Sequence, residues 1–240
     1  MSTPSAWVAF LSWPKFSLTS YRMLTSLRLQ GIGPKTVIDV GANVGQFAVA
    51  CAKIFPGSTI YSFEPTPKCV EKFKKHISRL EGIHIFQTAL GEQRGEAMLH
   101  VNSFSQSSSI LSLAEAHRRA FPQARETHTI RVPVSTLDAE LDSVSMDSPV
   151  LLKLDVQGYE LRVLQGSGNT LEKVDYVLIE ASFRPMFEGE VTFVEVVRRM
   201  EQSGFEFMRP VAWLTAPATG EVLQADALFV RRQRSPERST

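Results

Sequence analysis

The chain has 240 residues, 43% of them apolar, and 26 basic against 25 acidic side chains give a formal charge of +1. That length suits one generous domain or two cramped ones. The apolar content excludes disorder, and the near-neutral balance removes the case for a protein that grips nucleic acid through its phosphates, so no nucleic-acid partner is expected.

The charge is uneven. Residues 1–30 carry Lys15, Arg22 and Arg28 with no acid, and residues 231–240 carry four arginines against Glu237, so the body between them is mildly acidic. Cys51 and Cys69 are too few for a disulfide framework or a four-sulfur zinc site, which points to a reducing, cytoplasmic compartment. No apolar run approaches the ~18–20 residues that cross a bilayer, so no integral membrane span is expected. The stretch Ala6–Trp13 is like a short signal core but lacks a basic residue before it and a cleavage site close after Pro14.

Residues 4–30 place Trp7, Phe10, Trp13, Phe16, Met23, Leu24 and Leu27 at loosely helical spacing. They read as helices packed on the main domain, with a subunit contact that makes a homo-oligomer, a lid or a membrane-surface helix as alternatives. From Thr36 the rhythm changes. Thr36–Val40 is a β-branched strand, and Val44, Phe47, Ala48, Cys51, Ile54 and Phe55 recur at helical steps. Thr59–Phe63 is the next strand, a helix follows Pro65 and Pro67, and Ile83–Phe86 is a third strand. Short joints in that alternation mean right-handed crossovers and a parallel sheet.

The middle of the chain is less regular. Glu96–Val101 and Thr129–Val134 read as strands, separated by the serine-rich 103–109 and a helical stretch near Leu113–Ala120. Alternation then returns with Val150–Asp155, a helix from Tyr159, Tyr176–Glu180 and a helix over Thr192–Glu201. Phe205–Arg209 and Ala227–Arg231 suit an antiparallel pair closing one sheet edge. The expected organisation is a helical extension over 1–30, a single domain over 31–232 and a flexible tail over 233–240.

Chemistry concentrates at the strand ends. In Asp39-Val40-Gly41-Ala42-Asn43-Val44-Gly45 a strand ends in an acid, turns through glycine and launches a helix. Gly41 allows a tight turn and close approach of a ligand, and Gly45 lets the first helical turn lie near the strand. The helix start offers free N–H groups to an anionic group. No Gly-Lys-Ser/Thr follows, which rules out a phosphate-binding Walker loop, and the glycine spacing departs from the dinucleotide fingerprint. It fits a ligand with an amino-acid head, whose ammonium wants Asp39. Glu64 falls 25 residues after Asp39, where a carboxylate can accept from both hydroxyls of a ribose. Thr88-Ala89-Leu90-Gly91 offers small residues and amides to edge an adenine.

The ordered set Asp39–Gly45, Phe63-Glu64-Pro65, Ala89-Leu90-Gly91, Ser107-Ser108-Ser109, Leu137-Asp138, Lys153–Glu160 and Leu178–Phe183 resembles the FkbM family of S-adenosylmethionine-dependent methyltransferases. The resemblance runs from about Val37 to about Phe207. It implies the class I methyltransferase fold, a Rossmann-like α/β sheet of seven strands, mostly parallel, with an antiparallel last strand and helices on both faces. It implies S-adenosyl-L-methionine as cofactor and methylation of a hydroxyl on a sugar, glycoconjugate or secondary metabolite. Carried over by position, Asp39, Gly41, Ala42, Asn43, Gly45, Phe63, Glu64, Pro65, Ala89, Ser108 and Asp155 would bind the cofactor, with Phe63 or Pro65 along the adenine. Where the family often has Glu, this chain has Gln157, so a role that needs a charge there is in question.

Asp155 and Glu180 end successive strands, at the sheet edge where open α/β folds hold ligands. Methyl transfer to oxygen needs alignment and a destination for one proton. Asp155 is the candidate base and Glu180 its orienting partner or substitute; the alternatives are a Mg²⁺ site across the two carboxylates or a purely structural Asp155. Residues two apart on a strand share a face, so Lys153 is placed to pair with Asp155 or an acidic neighbour. The five histidines show no metal spacing, and no resident metal is expected. Competing readings are a nicotinamide oxidoreductase and a non-catalytic protein that keeps the cofactor pocket.

Overall fold

The computed structural model describes residues 17–102, 108–121, 123 and 126–232. The expectations for Trp7, Phe10, Trp13, Phe16 and the tail from residue 233 lie outside them. In chain order the elements are α1 (Leu18–Leu29), β1 (Thr36–Val40), α2 (Gln46–Ile54), β2 (Thr59–Phe63), α3 (Pro67–Ile77), β3 (Ile83–Phe86), β4 (Ala89–Leu90), β5 (Gly95–Asn102) and α4 (Glu115–Ala120). They continue with β6 (Glu126–Ser135), α5 (Leu137–Leu141), β7 (Val150–Leu154), α6 (Glu160–Gln165), α7 (Gly168–Lys173), β8 (Tyr176–Ser182), α8 (Phe193–Gln202), β9 (Phe205–Thr215) and β10 (Val222–Arg231).

Seven strands form one sheet in the order β3-β2-β1-β7-β8-β10-β9. Neighbours from β3 to β8 run parallel, and β10 is antiparallel to both β8 and β9. The central strands β1 and β7 are buried along their whole length, as near-continuous apolar runs must be when helices cover both faces. On one face, α1, α2 and α3 contribute Leu24, Leu27, Ala48, Cys51 and Phe73 to a core against Val37, Ile60 and Leu151. On the other, α5 to α8 bury Leu137, Val163, Leu171 and Met200 against Ile38, Leu152 and Ile179. Helix α8 starts on a reciprocal cap, Thr192 with Glu195.

Three features go beyond the sequence reading. Ala89-Leu90 is a strand of its own: it pairs in parallel with β6, which pairs antiparallel with β5, and these make a second, three-stranded sheet. The closing hairpin is about twice as long as its apolar cores suggest, because β9 and β10 stay paired from Phe205–Arg231 out to Thr215–Val222. The short helices α5 and α7 carry too little periodicity to be read. The family-like Leu137-Asp138 explains itself there: Leu137 is fully buried, and the Asp138 carboxylate accepts from the N–H groups of Asn169 and Thr170, capping α7 from outside.

Candidate active site

Register across the sheet sets the site. Val40 is aligned with Phe63 on one side and Leu154 on the other, Leu154 is aligned with Ile179, and Glu180 lies directly opposite Asp226. The next residue after each parallel strand position is therefore on one level: Glu64, Gly41, Asp155 and Glu180, extended by Asp226 on β10. Four carboxylates and one glycine line the C-terminal edge of the sheet, facing a cavity of about 530 Å³, within the roughly 300–1,000 Å³ of small-molecule sites.

The glycine turn works differently from its sequence reading. Gly41 has φ +82°, and a Cβ there would sit 1.8 Å from the Asp155 carbonyl oxygen. The β7 exit therefore closes the position to any side chain, while its backbone lines the cavity. A Cβ on Gly45 would meet the Phe73 ring of α3 at 2.8 Å, so that glycine admits the neighbouring helix, not the strand. Between them Asn43 takes a left-handed conformation, φ +48°. This turns its N–H onto Glu64 Oε2 at 2.9 Å, while the Thr66 N–H donates to Oε1 at 2.8 Å. Glu64 is 6% exposed, and burial raises its pKa against the lowering effect of those bonds. Each oxygen keeps a lone pair for a ligand, the arrangement a ribose diol requires.

Asp39 lies below the cavity instead of lining it. Its carboxylate is completely buried, with Lys153 Nζ 3.5 Å from Oδ1. Lys153 in turn sits 3.1 Å from Asp155 Oδ2, so the ammonium is shared between the two acids, as strand alternation predicts. Burial pulls the Lys153 pKa down, but the Asp155 and Asp39 carboxylates outweigh it and the net shift is upward. Asp39 is raised, by burial first. Removing one member of such a buried pair leaves an uncompensated charge.

Gln157 resolves the question its sequence position poses. With φ +58° it swings its amide between two strand ends, and Nε2 donates to Asp155 Oδ1 at 2.8 Å and to Glu180 Oε2 at 2.7 Å. An amide here joins two carboxylates that a glutamate would repel. Gln224 of β10 donates to the same Glu180 oxygen at 3.1 Å. Burial raises the Glu180 pKa, with Asp155 and Asp226 adding to it. Asp226 is pushed up to about 6 by burial and by Asp155, against Lys153. Among the described residues no group of three His, Cys, Asp or Glu side chains has metal-site spacing.

Of the sequence candidates, Gly41, Ala42, Asn43, Phe63, Glu64, Pro65, Ala89, Ser108, Asp155 and Glu180 line the cavity; Asp39 and Gly45 shape it from behind. Phe63 is 1% exposed with its ring stacked on Phe86 at 4.8 Å, so its face is already covered and Pro65 is the open neighbour. The sequence reading missed Asp226, Gln224, Trp213 and His117, which also line the cavity. An acid inside the apolar run Ala225–Val230 is a signal for the first. His117 carries none: it is buried, its Nδ1 has no hydrogen-bond partner among the described residues, and burial lowers its pKa.

Glu160 supports the site from beneath. It is 4% exposed, its Oε1 accepts from the Val156 N–H at 2.9 Å, and burial raises its pKa to about 8. A raised folded-state pKa favours folding fully below the ordinary 4.5 and loses that contribution as pH rises toward 8. The wild-type thermal midpoint is therefore expected to fall by several degrees between pH 5 and 8, on the order of a few kcal/mol at most. Glu160→Gln keeps the Val156 acceptor and removes that one titration, so its midpoint should fall less steeply than the wild type's over that range. Parallel slopes for the two proteins would remove Glu160 as the source.

Comparison with known proteins follows the same lines. A family model described as methyltransferase FkbM domain matches residues 39–207. A 2-O-methyltransferase of Sinorhizobium fredii, NoeI, is 26% identical over 74% of this chain and 75% of its own length. A protein of Beauveria bassiana named methyltransferase 1 is 27% identical over 70% and 71%. The hexuronic acid methyltransferase AglP of Haloferax volcanii is 27% identical over 59% of this chain and 54% of its own. In fold, magnesium protoporphyrin IX methyltransferase of Synechocystis, solved with bound SAM, superposes with a TM-score of 0.53 at 10% identity, over 97% of this chain and 86% of that one.

Proposed function

The chain belongs to the FkbM methyltransferase family, and we propose that it methylates a hydroxyl of a sugar or sugar-like metabolite, with Asp155 taking the hydroxyl proton. Its cofactor is S-adenosylmethionine, which supplies a methyl group on a positively charged sulfur. The observation that carries the reading is the level row of Glu64, Asp155 and Glu180 along one cavity wall. Glu64 takes the ribose hydroxyls, pre-set by the Asn43 and Thr66 amides. Gly41, Ala42 and Asn43 present backbone to the amino-acid end, and Ala89, Ser108 and Pro65 border the base and its surroundings. Asp39 acts one step removed, by holding Lys153 against Asp155.

On the acceptor side, Gln157 and Lys153 fix one Asp155 oxygen each, so the carboxylate is pre-oriented before an acceptor arrives. Glu180, raised by burial and held by two glutamine amides, orients that assembly. An acidic cavity also suits a cofactor with a net positive charge. The names of NoeI and AglP, which specify 2-O-methylation and a hexuronic acid, support a sugar hydroxyl as acceptor. Two buried free thiols and the absence of any helix among the described residues long and apolar enough to cross a membrane support a cytoplasmic enzyme. The near-neutral charge supports an acceptor other than nucleic acid.

The cofactor assignment is tested by thermal shift. S-adenosylhomocysteine at ~100 times its dissociation constant should add about 2.7 kcal/mol, roughly 5–10 °C for a chain of this size, with NAD⁺ and NADP⁺ giving none. Glu64→Ala should retain the unliganded fold and lose most of that shift. A full shift in the variant would move the ribose contact elsewhere.

A further inference from the structure

Three of the four cavity acids are held by the protein itself. Asp155 has Lys153 on one oxygen and Gln157 on the other. Glu180 accepts from Gln157 and Gln224, and Glu64 accepts from the Asn43 and Thr66 N–H groups. Asp226 differs. It is half-buried and lines the same cavity, yet no hydrogen bond or ion-pair contact reaches its carboxylate among the described residues. It also lies past residue 207, where the family match ends, so no role is carried over to it.

The fold itself is poorly served by this carboxylate. Asp226 lies directly opposite Glu180 on the antiparallel neighbour strand, where like charges destabilise, and Ala225, Ala227, Leu228 and Phe229 around it are buried apolar residues. Burial and the Asp155 charge both work against its ionised form, and only Lys153 favours it. A charge kept at a cost to stability, with no bond inside the protein to offset it, is the mark of a group retained for function. Strand alternation sets where it points. Leu228, two residues along, packs with Met23 of α1 in one core, and Ala212, the register partner of Asp226, packs against that same core. Asp226 therefore stands on the sheet face that α1 covers, and Met23 and Ala212 line the cavity with it.

Position assigns the acid to the acceptor. The strand order β2-β1-β7-β8-β10 puts Asp155 two steps from Glu64 and Asp226 two steps further on. Neighbouring strands lie about 4.8 Å apart, so the strand that carries the base is about 10 Å from each of the two strands that carry the outer acids. Methyl transfer brings the accepting oxygen, the methyl carbon and the sulfur into line. With the cofactor's ribose held at Glu64, its sulfur approaches Asp155 from the β1 side, and the acceptor approaches from the opposite side, over β8 and β10. We propose that Asp226 binds the acceptor there, accepting a hydrogen bond from a second hydroxyl while the first is presented to Asp155, so that the substrate is a polyhydroxylated molecule held at two points. The inference rests on the hydroxyl-methylating reading above and deepens it. A hydrogen bond to a carboxylate is of the stronger, charge-assisted kind.

Asp226→Asn, made in the full chain, keeps the shape of the side chain and removes its charge. Its thermal midpoint at pH 8 should rise by a few degrees, because a charge held at a cost is gone, and S-adenosylhomocysteine affinity should be unchanged. With S-adenosylmethionine and methyl β-D-glucopyranoside, KM should rise about 10-fold, the loss of one charge-assisted hydrogen bond, and more than kcat falls. A second arm removes the hydroxyl instead. Among the monodeoxy derivatives of that glycoside, one should show the raised KM with the wild type and no further rise with Asp226→Asn. An unmoved KM in Asp226→Asn, or penalties that simply add for every derivative, would overturn the proposal. A KM that rises only together with a falling midpoint would mark a structural residue, and a loss of S-adenosylhomocysteine affinity as large as that of Glu64→Ala would move Asp226 to the cofactor; either overturns it too. No turnover of the glycoside, with S-adenosylhomocysteine still bound by the wild type, would overturn the sugar-hydroxyl reading and this inference with it. Failure to bind S-adenosylhomocysteine would strike at the cofactor reading instead.

Discussion

Asp155→Asn is expected to lower kcat by about 10²- to 10⁴-fold, the usual contribution of a positioned general base. Asparagine keeps the size of the side chain, an acceptor for the Gln157 amide at Oδ1 and the contact level along the sheet. What it loses is the capacity to take a proton. Lys153 keeps Asp39 as its partner at 3.5 Å, so the loss of charge at position 155 does not strand the ammonium, and S-adenosylhomocysteine affinity should change by only a few fold. The measurement is the rate of S-adenosylhomocysteine formation with a methyl glycoside as acceptor. Glu180→Gln is the necessary companion. On the present assignment its effect is smaller than that of Asp155→Asn and falls on orientation. Full turnover in Asp155→Asn, with Glu180→Gln inactive, would make Glu180 the base.

Why Asp155 was legible in the sequence, and Asp226 less so, is a matter of where each acid stands. Asp39, Glu64, Asp155 and Glu180 each follow a short β-branched or aliphatic run, and an acid at the end of a buried parallel strand has few structural reasons to be there. Periodicity and the glycine turn then fix order and direction, which is enough for a doubly covered sheet. What periodicity cannot supply is register. The sharing of Lys153 between Asp39 and Asp155, and the meeting of Glu180 with Asp226, come from strands far apart in sequence. Asp226 hid because its strand is antiparallel, so the acid lies in mid-strand instead of at a strand end.

Backbone contacts are the least legible in sequence. The glycines at 41 and 45 mark positions that need a missing side chain, but the protein atoms beside each are not written in the local sequence. They are the Asp155 carbonyl in one case and the Phe73 ring in the other. Likewise Gln157 reads in sequence as a missing charge, since its left-handed backbone and the two carboxylates it reaches are not written in the local sequence. Ala89-Leu90 is only two residues long and holds too little pattern to announce a separate sheet. In each instance the sequence marks the residue but not its neighbour.

Gly41→Ala should be among the most damaging single changes outside the core, and its argument separates two costs that glycine substitutions usually mix. The first is backbone strain. At φ +82° an alanine pays about 1–2 kcal/mol for the left-handed region. The second is the clash. The new Cβ would lie 1.8 Å from the Asp155 carbonyl oxygen and 2.8 Å from its carbon, both backbone atoms, so no side-chain rotation can relieve it. Either β1 or the β7 exit must move, and these are adjacent central strands buried along their length. Gly57 provides the control. Its φ is +89° and nothing lies within 4 Å of its Cβ position, so Gly57→Ala carries the strain without the collision. At about 2–4 °C per kcal/mol, Gly57→Ala should lose a few degrees, and Gly41→Ala at least twice as much. The folded fraction of Gly41→Ala should also lose turnover beyond its loss of stability, because the residue displaced is Asp155 itself. Equal midpoints for the two variants, with turnover intact, would mean that the turn yields freely and that Asp155 is not held by the glycine beside it.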